Sequence, residues 1–368
     1  MLTRFLHSVF MDWTEGRRTP GLVCFGAIAK PLSWLYRLGA ALDGWLRKPQ
    51  VARLPDKTRL VVISSPVVGG VGKTPLVAHL AAALLQRGFN THVVTTGYKR
   101  QGDGDVSMSS SSRPVNVARS GDEAMMIWQM TGVPVHVGDD RTEAVHRVGR
   151  ESQPDFIVLD DGVRPRWAGE DRIVVLTPED LERPVRFLPD GRWRIAPRRA
   201  WPASGVAIVQ IGRAVSSPRS EVINARHQEI LNAWGYQGPV AWYETVADGL
   251  VRLSGPAAGS PESPLDESPF VFCAVGSPSR FARQIELMGM KPVAMQRFPD
   301  HHAYSAADMA GLERRSERVG AQWMLTTHKD AVKIDPAWAM AIPVYWLRIR
   351  LELAGGVDML SILLEKTE

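Results

Sequence analysis

The sequence predicts an α/β chain, with a parallel sheet flanked by helices in its first part and a second, smaller α/β unit after it. Three observations carry this. Short apolar runs such as Leu60-Val61-Val62-Ile63 and Phe156-Ile157-Val158-Leu159 alternate with longer segments of helical character. A glycine-rich turn, Gly69-Gly70-Val71-Gly72-Lys73-Thr74-Pro75, follows the first of these runs. A length of 368 residues is also more than one core ordinarily covers.

The elements follow in order. Met1 to Phe10 holds one arginine among apolar residues, and Asp12, Glu15, Arg17 and Arg18 come soon after, so no signal peptide is expected. Gly21 to Trp45 is apolar and aromatic. A spanning helix wants roughly 20 mainly apolar residues, and Lys30-Pro31 in the middle argues against one. Leu32, Trp34, Leu35, Leu38 and Leu42 recur at helical spacing, with Arg37, Arg47 and Lys48 nearby. Such a helix either lies in a membrane interface or packs on the protein's own core, and the residues leave both open.

Leu60 to Ile63 is the first buried strand. A helix opens at Thr74, runs from Pro75 to Arg87 and ends at Gly88, with Pro75 in the first turn, where no backbone N–H is missed. Thr91 to Thr95 is the next strand, and Gln101 to Pro114, with four consecutive serines, reads as a loop. Asp122 to Met130 is helical; Val133 to Val137, Phe156 to Leu159, Arg172 to Leu176 and Val206 to Ile211 are strands. Ser254 to Pro269, rich in Ser, Pro, Gly and acids, is an exposed loop. A second rhythm then begins, with strands at Phe270 to Val275, Pro292 to Gln296 and Trp323 to Thr327. Between them lie a helix from Pro278 to Met288 and another that Ser305 and Asp308 open as a capping box. The expected boundary lies near residue 240, giving units of 1–240 and 241–368.

Composition excludes several classes. Hydrophobic content of 45% with 23% charged residues is that of a folded globular chain, not a disordered one. Cys24 and Cys273 are the only cysteines, which is neither a disulfide framework nor a zinc spacing and suits a reducing compartment. A net charge of +5 favours an anionic partner. Arg183 to Arg199 is basic, yet Pro184, Pro189, Gly191 and Pro197 make it a loop, suited to an anionic head group or to solvent rather than to DNA.

The glycine-rich turn carries the chemistry. Backbone N–H groups of Gly69, Gly70, Val71 and Gly72 can wrap a polyphosphate, because glycine lets the backbone approach and adopt positive φ. Lys73 would set a charge on the β/γ-phosphates, and Thr74 would offer a hydroxyl to Mg²⁺. Val67 stands where a strict Walker A motif has its first glycine. Asp160 and Asp161, at the end of an apolar strand, are the candidate Walker B acids, unless they simply open a loop before Gly162. Phosphoryl transfer to a hydroxyl also benefits from a base or a positioned carboxylate near the acceptor; Asp122 in Gly121-Asp122-Glu123 and the cluster Asp300-His301-His302 are candidates. Local sequence leaves both open, since helix-opening acids also serve the macrodipole and a histidine pair in a loop also serves packing.

Taken together these motifs resemble the tetraacyldisaccharide 4'-kinases, the lipid A kinases. The likeness runs from Pro31 to the carboxyl-terminal strands. It rests on residues 69–75, Gly97-Tyr98, Gly121 to Glu123, Gly132 to Val135 with Asp140-Arg141, and Asp160 to Gly162. Further marks are Phe298 to His302 with Tyr304, and Thr326-Thr327 with Lys329-Asp330. The resemblance implies a P-loop NTPase-like domain, a smaller α/β domain, a two-stranded link and an active site in the cleft between them. It implies transfer of the ATP γ-phosphate to the 4'-hydroxyl of a tetraacylated glucosamine disaccharide 1-phosphate. Lys73 and Thr74 would bind phosphates and Mg²⁺, Asp160 and Asp161 would serve the metal, and Asp122 would be the base, supported by His301. The acylated lipid substrate would sit in the inner membrane, with the Trp34 helix at its cytoplasmic surface. No nucleic-acid or protein partner is expected.

The chain departs from the family pattern at Ser64-Ser65, at Val163-Arg164-Pro165, at Ile195 after Arg194 and at His328. An isoleucine cannot coordinate Mg²⁺, so these changes bear on substrate and rate more than on fold. The alternatives are a divergent ATP-binding member that acts on another glycolipid or is non-catalytic, and a P-loop partitioning or metal-insertion ATPase acting through dimer switching. Many of the latter carry a lysine where this chain has Val68.

Overall fold

The structure, a computed structural model, describes residues 20–46, 50–51, 54–98, 100–109, 115–160, 167–201, 206–212, 219–254, 268–338 and 340–365. Asp161 and Arg164 lie outside the described residues.

Helix α1 (Pro20–Leu46) comes first, followed by β1 (Gln50–Val51) and β2 (Arg59–Ser64). The apolar run of β2 is buried on both faces, since Val61 and Ile63 join one core cluster and Leu60 and Val62 another. That is why it reads as a continuous apolar run rather than an alternating one. Next come α2 (Lys73–Gln86), β3 (Thr91–Thr95), β4 (Val106–Met108), α3 (Val117–Ser120), α4 (Asp122–Thr131) and β5 (Val135–Val137). The Gln101 to Pro114 segment is therefore not all loop: β4 pairs antiparallel with β5 at the sheet edge. Helix α5 (Arg141–Ser152) is capped by Asp140, whose side chain accepts from the Thr142 and Glu143 N–H groups. Then follow β6 (Phe156–Asp160), β7 (Trp167–Ala168), β8 (Asp171–Leu176), α6 (Pro178–Glu182), α7 (Pro197–Ala200), β9 (Val206–Gly212) and α8 (Arg219–Ala233).

The long strand β10 (Val240–Ser254) leads into β11 (Phe270–Cys273), α9 (Pro278–Leu287), β12 (Ala294–Arg297) and α10 (Ala306–Arg318). The expected capping box is present at Ser305 and Asp308. The chain closes with β13 (Met324–Thr327), α11 (His328–Ala331), β14 (Val344–Gly356) and α12 (Met359–Glu365).

Among the described residues, twelve strands form one sheet in the order β12-β11-β13-β14-β10-β9-β8-β2-β6-β3-β5-β4. Pairing is parallel from β10 through β9, β8, β2, β6, β3 and β5, and again from β14 through β13, β11 and β12. The antiparallel pair β10/β14 is the seam between these two parallel stretches. On the β2 side, Leu76, Leu80 and Leu84 of α2 cover one face, and Ala144, Val145 and Val148 of α5 cover the other. On the β11 side, Phe270 and Phe272 face one cluster, Val271 and Cys273 another. Met359, Leu360 and Leu363 of α12 return to pack in the first cluster with α2.

Among the described side chains of helix α1, residues 29–42, one face is docked. Ala29 and Ser33 are buried, and Ser33 Oγ donates to Phe187 O at 3.0 Å. Trp34, Leu35, Leu38 and Leu42 point outward, Trp34 being 73% exposed and Leu38 69%. No helix among the described residues is long and apolar enough to cross a membrane.

Candidate active site

The glycine-rich loop leaves β2 through the buried Ser64 and Ser65 and enters α2 at Gly72, which takes φ 87° as the residue before the helix. The helix begins at Lys73, one residue earlier than the sequence suggests. Val67, at the missing first glycine, is fully buried and bridges to Trp193, so its side chain is committed to the core. The loop is held on two sides. From one side, Arg192 Nε donates to Val68 O at 2.9 Å, Val68 N donates to Arg192 O at 2.8 Å, and Arg194 Nη2 donates to Ser65 O at 3.1 Å. Asp180 holds the Arg192 guanidinium at 3.2 Å. The arginines of the Arg183 to Arg199 stretch therefore include two that brace the loop rather than face a head group or solvent. From the other side, Arg280 of α9 donates to Gly70 O at 2.7 Å.

Lys73, Thr74 and Pro75 form the first turn of α2 and are half-buried. Asp160 ends β6, is buried, and lies in register with Ile63 of β2. A magnesium ion in a nucleotide site keeps several waters and takes one or two protein ligands besides phosphate oxygens. A hydroxyl at Thr74 and a buried carboxylate at Asp160, at the ends of neighbouring elements, fit that demand. Among the described residues no group of three or more His, Cys, Asp or Glu side chains forms a closed metal cage.

The second constellation is built on α4. Gly121 (φ 85°) precedes Asp122, and a methyl group added to it would lie 3.1 Å from Gly97 Cα. One on Gly97 (φ 60°) would lie 2.5 Å from Val137 Cγ1 and 2.7 Å from Ser120 O. Both glycines are thus required by close backbone approach, which sets the start of α4 against the end of β3. Asp122 is buried and accepts from Glu123 N at 2.9 Å and from His301 Nδ1 at 2.9 and 3.1 Å through its two oxygens. Burial alone would raise its pKa. The His301 hydrogen bond and the nearby charge of Lys329 outweigh that and hold the carboxyl below its ordinary value.

His301 takes the left-handed backbone conformation at φ 63°, rare for a residue with a side chain, and its N–H donates to Ala274 O at 3.2 Å. The Tyr98 ring stands edge-on to its imidazole at 5.2 Å. The neighbouring histidine points elsewhere: His302 stacks on Phe298 and reaches Asp308 of α10, a packing role. Asp300 faces Gly276, where a methyl group would lie 3.1 Å from Asp300 Oδ2 and 3.7 Å from Gly70 N. The phosphate loop and the 300–301 turn therefore approach one another across Gly276.

Sequence reasoning missed two participants. Lys329 was only a motif mark, yet its ammonium lies 3.2 Å from Glu123, 3.2 Å from His301 Nε2 and 3.6 Å from Asp300. Arg280 carried no signal at all. At the departures from the family pattern, Ile195 packs against the core, and His328 stacks on Trp346 at 3.9 Å with its Nε2 3.2 Å from Gln129 Oε1.

A glycine loop opening a helix at the end of a parallel strand, facing a buried Asp–His pair, is the arrangement of an α/β P-loop phosphotransferase. The model of the tetraacyldisaccharide-1-P 4'-kinases (LpxK) matches residues 26–368. The chain belongs to that family. It is 31% identical over 373 aligned positions to the tetraacyldisaccharide 4'-kinase of Dechloromonas aromatica, covering 100% of this chain and 98% of that one. To the enzyme of the same name from Syntrophus aciditrophicus it is 28% identical, with 93% of each chain covered. The fold is similar to that of LpxK from Aquifex aeolicus, solved in complex with ATP, at a TM-score of 0.64 and 22% identity over 91% of this chain and 96% of that one.

Proposed function

We propose that this chain moves the γ-phosphate of ATP to the 4'-hydroxyl of a tetraacylated glucosamine disaccharide 1-phosphate. The observation that carries the reading is the buried Asp122–His301 pair, set across Gly276 from the phosphate loop. Asp122 is the base. Held below its ordinary pKa, it is ionised near neutral pH and acts as an acceptor. It takes the hydroxyl proton as the hydroxyl oxygen bonds to the γ-phosphorus. The bond from phosphorus to the bridging oxygen breaks, and its electron pair leaves on ADP.

Gly69, Gly70, Val71 and Gly72 present backbone N–H groups to the phosphates, Lys73 adds its charge, and Pro75 starts the helix without competing for a donor. Thr74 and Asp160 would hold Mg²⁺, with Asp161 following in sequence; the bound ion neutralises charge on the phosphate oxygens. Units 1–240 and 241–368 belong to the same proposal, as a P-loop unit and a smaller unit that brings His301 to the site. Trp34, Leu35, Leu38 and Leu42 of α1 anchor the chain peripherally at the cytoplasmic surface of the inner membrane, where the acyl chains of the substrate lie. Basic residues beside them add about 1 kcal/mol each near an anionic surface. The reading includes no nucleic-acid or protein partner.

The test is transfer of labelled γ-phosphate from Mg-ATP to the tetraacyl disaccharide 1-phosphate in detergent. Product from the wild type, with turnover lost in Asp122→Ala while ATP still binds, supports the reading. A wild type that binds ATP and yields no product overturns it.

A further inference from the structure

We propose that Lys329 is a positioning residue that fixes His301 as its Nδ1–H tautomer and so keeps Asp122 as a pure proton acceptor. The inference rests on the kinase reading of the Asp122–His301 pair. Lys329 Nζ lies 3.2 Å from His301 Nε2, within hydrogen-bond reach, and an ammonium can only donate. The ring nitrogen facing it must then offer its lone pair. The other contender for that nitrogen, Asp300 Oδ2, is 3.7 Å away, beyond a hydrogen bond. With Nε2 an acceptor, a neutral imidazole carries its proton on Nδ1, which points at Asp122 at 2.9 and 3.1 Å.

Lys329 is in turn held by Glu123 at 3.2 Å and Asp300 at 3.6 Å. Burial works against its charge, but Glu123, Asp300 and Asp122 outweigh burial and raise its pKa, so it stays a donor. The chain of donors therefore runs one way, from Lys329 to His301 to Asp122. In the opposite tautomer, Nδ1 would need a proton from Asp122. The carboxyl would then be protonated before the substrate hydroxyl arrived, with no capacity to accept that proton.

Two independent readouts test this. Heteronuclear NMR of the full-length chain, with both histidine ring nitrogens isotopically labelled and His301 assigned by His301→Gln, should show Nδ1 protonated and Nε2 bare. Lys329→Met should abolish that fixed tautomer and lower kcat by about 10²-fold, the range of a misplaced acid–base group, while KM for ATP is unchanged. Lys329→Arg, which still donates, should recover most of both. A wild-type ring protonated on Nε2 overturns the proposal without any variant. So does a Lys329→Met enzyme that keeps the tautomer, whatever its kcat. Failure of the underlying reading looks different: Asp122→Ala and His301→Ala would then leave turnover intact while the tautomer stood as assigned.

Discussion

At the scale of single residues, the site depends as much on absent side chains as on present ones. Gly97 and Gly121 meet backbone to backbone, and this contact decides where Asp122 begins its helix. Gly97→Ala would place a methyl group 2.7 Å from a carbonyl oxygen that has no rotamer to escape into, at a φ of 60° that already disfavours it. The expected cost is about 2 kcal/mol or more in stability, seen as a lower midpoint in urea unfolding. Because the strain displaces the start of α4, turnover should fall further than stability accounts for, with ATP affinity retained. An unchanged midpoint would mean that β3 and α4 part without resistance. Lys73, Thr74 and Asp122 were legible in the sequence because a glycine turn and a family motif mark them. The Asp122–His301 contact joins residues 179 positions apart, and no local spacing encodes it. His302 was legible as part of the same cluster, yet packing against Phe298 turns it away from the site.

At the scale of elements, the apolar strands were read well because burial on both faces leaves long uninterrupted runs, as in β2, β6 and β8. Helix α5 was not, because Ala144, Val145, Val148 and Gly149 are its only buried positions among charged ones. Strand β4 was hidden by its three-residue length in a serine-rich segment. Helix α1 docks one face on the 187–199 segment, while Trp34, Leu35, Leu38 and Leu42 stay exposed. Its outward leucines make a specific prediction. Leu35→Glu with Leu38→Glu should sharply reduce partitioning onto anionic vesicles in a flotation assay, with little change in stability, because both positions are already solvent-facing. Unaltered flotation would remove α1 from the membrane-facing surface of the protein.

At the scale of the whole molecule, the site closes over a seam. Arg280 to Gly70, His301 to Asp122, Lys329 to Glu123 and His328 to Gln129 all join the β11–β13 side of the sheet to the β2–β3 side. Of these contacts the one at His328 is acid-sensitive, and away from the seam so is the His92–His136 pair joining β3 to β5. His328 is kept neutral by burial, its pKa pushed from the ordinary 6.5 down to about 4, and His136 is pushed down to about 4 by burial and by the charge of its partner His92. An unfolded chain binds protons at these rings near 6.5, and the native one only near 4. The stabilisation they give is therefore complete above the unfolded value and is lost progressively as pH falls toward the folded one. Carboxyl groups such as Asp122, with depressed pKa values, contribute their own loss only at lower pH. Urea unfolding midpoints should accordingly fall between about pH 7.5 and about pH 5, with proton uptake on unfolding. His328→Gln, which keeps a polar partner for Gln129 without a titrating ring, should flatten part of that slope, and His136→Asn another part. A slope unchanged in both variants would show that other groups carry the acid sensitivity, and that the seam is indifferent to the charge of His328.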